Sequence, residues 1–145
     1  MTAAPRLFLV DALNYIHRAY HVMPPLTHGA EPVGALLGFT RMLYKLAKHG
    51  PEYMAVCFDA PGPTFRHKMY AEYKANREET PDDLRKQIVS AEEMVRAMGI
   101  GLAKAEGYEA DDLMATLARK ALAEGLDVVL VTDDKDAMQL VGEKL

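Results

Sequence analysis

Acidic side chains recur in this chain where metal-assisted chemistry would need them. Asp11 closes the apolar run Leu7-Phe8-Leu9-Val10, and Asp59 closes Ala55-Val56-Cys57-Phe58. Asp134 and Asp136 follow Val128-Val129-Leu130-Val131-Thr132, and Glu109, Asp111 and Asp112 open an amphipathic stretch. In an open α/β sheet, strand carboxyl ends and the adjoining helix starts converge on one edge, where such folds bind ligands. Carboxylates gathered there repel one another unless protons or cations intervene. Hard oxygen donors suit Mg²⁺ or Mn²⁺, and a carboxylate-held divalent cation suits phosphate-ester chemistry.

Each acid also has an ordinary reading. A single aspartate after a strand is a common turn residue. Asp82-Asp83 follows Thr80-Pro81, and helix capping explains that pair fully, so it takes no catalytic role. Glu109, Asp111 and Asp112 could cap a helix in the same way. Company shifts the balance, because helix dipoles do not require Asp11, Asp59, Asp134 and Asp136 to end strands. On a helix, positions 109 and 112 share a face and 111 is rotated away, so the three need not touch one ion. Lys135, between acids, is either a local charge balancer or a phosphate contact.

A second group is basic. From Arg66 to Arg77 the chain adds Lys68 and Lys74, interleaves Tyr70 and Tyr73, and holds Glu72 as its only acid. Cations can track phosphates and aromatic rings can stack on exposed bases; the bland alternative is a solvated helix with half-packed tyrosines. Beside an acidic cleft, a flexible cationic segment reads as a substrate gate. Arg18 and Tyr20 follow the first strand and either approach the same cleft or lie on the surface. His17, His21, His28, His49 and His67 lack zinc-ligand spacing and read as surface or local packing residues.

The elements that must position these groups alternate. Strands are expected near residues 7–10, 53–58 and 128–132, with a possible short one at 100–103. Helices are expected at 33–48, from an N-cap at Thr80 with Pro81 in the first turn to Met98, at 110–124, and briefly at 135–140. A loop with Pro24-Pro25 and Gly29 follows the first strand. Residues 60–80 break the alternation, opening at Pro61-Gly62-Pro63, and inserts of this kind are often functional. The pattern predicts an α/β fold of three layers: a mainly parallel, twisted sheet with helices on both faces, and a basic helical arch or flexible loop inserted.

Composition bounds the rest. The chain has 145 residues, 50% of them hydrophobic, and a formal net charge of −4. That suits one domain with a real core. No apolar run approaches the roughly 20 residues of a membrane span, and no signal peptide is visible. The lone Cys57 cannot form an intrachain disulfide; it reads as a core residue, and a cytoplasmic setting is expected. Net acidity argues only weakly against nucleic acid, since cations bound by the acids would reverse the local field.

The motifs together resemble a known family, the 5′-nuclease domain of bacterial DNA polymerase I within the flap-endonuclease superfamily. They are Leu9-Val10-Asp11, His17-Arg18-Ala19-Tyr20-His21, Phe58-Asp59-Ala60, Tyr73-Lys74-Ala75-Asn76-Arg77, Pro81-Asp82-Asp83-Leu84-Arg85, Glu109-Ala110-Asp111-Asp112 and Asp134-Lys135-Asp136. Their order and spacing cover nearly the whole chain. The resemblance implies a PIN-like domain that hydrolyses DNA near 5′ ends and flaps, leaving a 5′-phosphate and a 3′-hydroxyl. It implies two ions in the complete domain, with Asp11, Asp59, Glu109, Asp111 and Asp112 at the first and Asp134 and Asp136 beginning the second. It places Lys74 and Arg77 near the scissile phosphate as catalytic cations. Arg18, Tyr20, Arg66, Lys68 and Tyr73 become DNA contacts, and residues 65–80 become the arch or clamp.

Two departures stand out: Ala12 and Asp133 occupy positions where glycine is usual. The resemblance also implies two further metal-binding aspartates and a helical hairpin beyond residue 145. The chain is therefore expected to be an N-terminal fragment with an incomplete second metal site. A catalytically incomplete DNA-binding or regulatory fragment is the competing reading. A receiver-like phosphoacceptor would leave Glu109, Asp111 and Asp112 without a role. A dehalogenase-type phosphatase would need an aspartate where Leu13 stands, and no glycine-rich phosphate loop precedes a helix.

Overall fold

The computed structural model describes residues 3–142. In chain order the elements are β1 (Arg6–Asp11), α1 (Ala12–Val22), β2 (Thr27–His28), β3 (Glu31–Pro32), α2 (Gly34–Ala47) and β4 (Tyr53–Cys57). Then come α3 (Phe65–Met69), α4 (Asp82–Ala97), β5 (Gly101–Ala103), α5 (Ala110–Ala123), β6 (Asp127–Val131) and a 3₁₀ helix, Lys135–Leu140. The main sheet runs β5-β4-β1-β6 with every neighbouring pair parallel.

Alternating side chains divide the core between two faces. Val10 and Val56 point to one face, where Ile16 of α1, Phe39 and Leu43 of α2 and Leu84 and Val95 of α4 bury against them. Leu9, Cys57 and Val128 point to the other, under Met114, Ala118 and Ala121 of α5. A sheet covered on both faces needs nearly continuous apolar strands, which is how these runs read in sequence. The expected three-layer α/β architecture is the observed one. Cys57 is fully buried, and burial, with Asp11 and Asp111 nearby, pushes its thiol up to about 12, an inert core group.

Several local expectations change. Helix α1 starts directly after β1, where a loop was expected. The Asp11 carboxylate caps it, accepting from the Asn14 N–H. The loop that follows α1 carries the small β2–β3 hairpin. Thr80 makes no cap; Pro81 is the N-cap residue of α4, which begins one residue later than the Pro81 start expected. Residues 60–80 contain one short helix, α3, followed by turns.

Helices α1 and α2 approach closely because position 38 has no side chain. A Cβ there would stand 2.8 Å from Ala19 Cβ and 3.0 Å from Met23 Cγ. Gly38→Val is expected to cost about 1–3 kcal/mol by overpacking, read as a lower urea midpoint. An unchanged midpoint would mean that α1 can shift away at no cost.

Candidate functional site

Parallel pairing brings the carboxyl ends of β1, β4 and β6 side by side, and the start of α5 lies against the same edge. Asp11, Asp59, Glu109, Asp111 and Asp134 line one open cavity of about 840 Å³ together with Lys74, Arg77 and Tyr20. That volume is in the range of small-molecule sites. A smaller cavity of about 210 Å³ shares Glu109 and Asp111 with it and is lined as well by Arg66, Tyr73, Asp112 and Asp136.

The acids are held by short-range contacts. Asp11 is buried. Its second carboxylate oxygen accepts from the Thr132 hydroxyl at 3.1 Å, linking β1 to the end of β6. Asp59 Oδ1 accepts from the Ala110 N–H at 2.6 Å, so a strand-end aspartate caps the start of α5. Asp134 Oδ1 accepts from the Asp136 N–H at 2.9 Å, which opens the 3₁₀ turn. Capping leaves Asp11, Asp59 and Asp134 with free lone pairs, because a carboxylate has more of them than one cap uses.

Crowding shows in the proton equilibria. Burial raises the Asp11 carboxyl; the Asn14 N–H and Thr132 hydroxyl oppose this, while Asp59 and Asp134 add to it. Asp111 is pushed up to about 6, first by desolvation and then by Asp11, Asp134, Asp59 and Glu109. Asp111, crowded by four other acids, thus sits where positive charge is short.

The basic segment supplies some of that charge. Lys74 Nζ lies 3.0 Å from Glu109 Oε2, and the Tyr73 hydroxyl lies 3.4 Å from the same oxygen. Arg66 grips Asp112 with two parallel bonds of 2.8 Å and holds that carboxyl below its ordinary value. Lys74 sits at φ 57°, the only positive φ outside glycine among the described residues. Such a conformation costs about 1–3 kcal/mol and persists where its surroundings enforce it. With Glu109 and Asp112 turned onto cations, no three acidic, His or Cys side chains among the described residues stand close enough to hold an ion as they are. The donor set still fits one. It is all hard oxygen, and Asp111 is surrounded by like charge.

Other expected contacts are engaged elsewhere or lie outside the cavities. Arg18 is exposed and pairs with Asp133 at 2.7 Å. The Tyr20 hydroxyl donates to the Asp83 carboxylate at 3.1 Å. Lys68 is exposed on α3 and lines neither cavity. Asn14 and His17 are among the lining residues that had no functional role in the sequence reading. Asn14 Oδ1 accepts from the Asp133 N–H at 3.2 Å. Burial and Arg77 hold the His17 imidazole below its usual value. Both share a face with Asp11 at three-residue spacing, a signal visible only once α1 is known to be helical.

Residues 6–145 match the family described as 5′-3′ exonuclease, N-terminal resolvase-like domain. The chain is 50% identical over 143 residues to DNA polymerase I of Pseudomonas aeruginosa, covering 97% of this chain and 16% of that one. It is 42% identical over 141 residues to a 5′-3′ exonuclease of Aquifex aeolicus, covering 96% of this chain and 49% of that one. The fold is similar to the D15 flap endonuclease of bacteriophage T5, solved as a pseudo-enzyme-product complex with DNA and metal ions. There the TM-score is 0.71 at 22% identity, covering 96% of this chain and 53% of that one.

Proposed function

Because the chain belongs to the 5′-3′ exonuclease N-terminal, resolvase-like domain family, we propose that it forms the cation-binding part of a nuclease. The substrate is DNA with 5′ ends or flaps, and the reaction is phosphodiester hydrolysis. The observation that carries this is the meeting of Asp11, Asp59, Glu109, Asp111 and Asp134 with Lys74 and Arg77 in one cavity. Asp11, Asp59, Glu109 and Asp111 would hold the first Mg²⁺ or Mn²⁺, while Asp112, expected there as well, is turned onto Arg66. Asp134 and Asp136 would contribute to a second. A divalent cation there offsets phosphate charge and makes water a better nucleophile.

The chain's own residues do the rest. Lys74, 3.0 Å from Glu109, and Arg77 line the same cavity as the acids and would neutralise charge that grows on the phosphate oxygens. Arg18, Tyr20, Lys68 and Tyr73 offer polar and aromatic contacts along the strand. Residues 60–80 act as the arch. DNA chemistry and a single buried thiol fit work in the cytoplasm, and no helix among the described residues is long and apolar enough to cross a membrane. The chain spans 16% of the polymerase and 49% of the exonuclease it matches. One observation favours a second reading, DNA binding without cutting: among the described residues, no three of the acids that share the cavity stand close enough to share an ion.

A net negative chain with an acidic cleft repels DNA until cations arrive. Fluorescence anisotropy with a 5′-flap DNA should therefore show affinity at least about tenfold tighter in Ca²⁺ than in EDTA, roughly 1.4 kcal/mol. Equal affinity in both would count against a cation-filled cleft.

A further inference from the structure

The foot of the basic segment is tied to the start of α5 in three ways. The Phe65 N–H donates to the Gly107 carbonyl at 3.0 Å. The Phe65 ring packs against Tyr108, centroids 5.8 Å apart. Arg66 forks onto Asp112, Nη1 to Oδ2 and Nη2 to Oδ1, each 2.8 Å. The guanidinium also lies 4.6 Å from the centre of the Phe65 ring.

Asp112 carries a second load. Its Oδ2 accepts from the Glu109 N–H at 3.0 Å, so the carboxylate that holds Arg66 also fixes the backbone of Glu109. Glu109 in turn meets Lys74 at 3.0 Å. The cations at positions 66 and 74 therefore close a loop of contacts through two acids of α5's first turn, and the turn at Lys74 keeps its positive φ inside that loop.

We infer that Arg66 is a positioning residue rather than a phosphate contact. Its fork on Asp112 locks the foot of the basic segment to α5 and thereby sets Glu109 and Lys74 for the cleft. Three features separate the two roles. Both carboxylate oxygens of Asp112 and two guanidinium nitrogens are already engaged. The pair is only part exposed, at 33% for the Arg66 side chain and 20% for Asp112. The charge of Arg66 is spent locally, so little of its field reaches a strand passing above. A lysine would not substitute, since an ammonium is a point charge and cannot make the planar two-point grip. The inference rests on the nuclease reading for what the cleft does, and on the contacts alone for the lock.

The test compares the 145-residue chain with Arg66→Met, Arg66→Lys, Asp112→Asn and the Arg66→Met/Asp112→Asn double variant. Three quantities are read: Mn²⁺ affinity by electron paramagnetic resonance, amide exchange, and the salt slope of flap-DNA binding in Ca²⁺. Both Arg66 variants are expected to lose about tenfold in Mn²⁺ affinity, the scale of losing a group that orients a ligand. Exchange should quicken across residues 65–75 while the amides of β1 and β4 stay protected. The salt slope should not change, and the double variant should be no worse than Arg66→Met alone.

A salt slope reduced by about 1 with Mn²⁺ affinity unchanged is the signature of a phosphate anchor and would overturn the inference. So would additive losses in the double variant, or full rescue by lysine. If the wild type bound neither Mn²⁺ nor DNA, the nuclease reading would fall, and amide exchange alone would decide the lock.

Discussion

Asp111→Asn is expected to weaken Mn²⁺ binding about a hundredfold, roughly 2.7 kcal/mol, with the fold intact. Asp111 is the acid most crowded by others, its carboxyl pushed up to about 6 by desolvation and four acidic neighbours. The same crowding predicts a sign for stability. A carboxyl whose folded value lies above its ordinary 3.8 favours folding below about pH 4. That contribution is lost as pH rises through about 6. Without divalent ions, the wild-type urea midpoint should fall between pH 4 and 7, while the variant's should fall less and lie above wild type at pH 7. Cation affinity has the opposite slope, because protons compete for the same oxygens. Wild-type Mn²⁺ affinity should drop below pH 6, by up to about tenfold per pH unit for one proton. Calorimetry across pH 5–7.5 checks both. Unchanged affinity in the variant would remove Asp111 from the ligand set.

Lys74→Ala and Arg77→Ala are each expected to slow single-turnover cleavage of a 5′-flap by about 10²–10³ while changing DNA affinity only a few fold. That is the scale of removing a preorganised cation from a developing negative charge. Lys74 is held by Glu109 at 3.0 Å in an otherwise unfavourable backbone conformation, and Arg77 lines the same cavity. Their charge is thus placed before substrate arrives. Equal losses in rate and affinity would make them phosphate anchors instead.

The strand ends that meet at the cavity were more legible than the elements that support them. Apolar runs leading to Asp11, Asp59 and Asp134 announce the parallel strands β1, β4 and β6, and their pairing then brings their ends together. Helix α1 escaped because no Gly or Pro separates it from β1. Its punctuation arrives only at Pro24-Pro25, and His and Tyr dilute its apolar face. Asp11 itself was the start signal, an aspartate that ends a strand and caps a helix at once. The cap that Asp59 gives Ala110 spans 51 positions and the Arg66–Asp112 fork 46. Contacts of that range depend on the sheet order, which no local pattern encodes. Charge alone gave Arg66 its reading as a DNA contact, whereas its pairing with Asp112 could be read only in three dimensions.

The most direct test of the central claim, that strand-end carboxylates hold a cation for DNA hydrolysis, is cleavage of a 5′-flap DNA by this 145-residue chain. Mg²⁺ or Mn²⁺ would be supplied, with Asp111→Asn run in parallel. Metal-dependent cutting that leaves a 5′-phosphate and a 3′-hydroxyl and is lost in the variant is the expected result. Absent cutting, with Mn²⁺ still bound by calorimetry, would contradict it and assign the chain to DNA binding without catalysis.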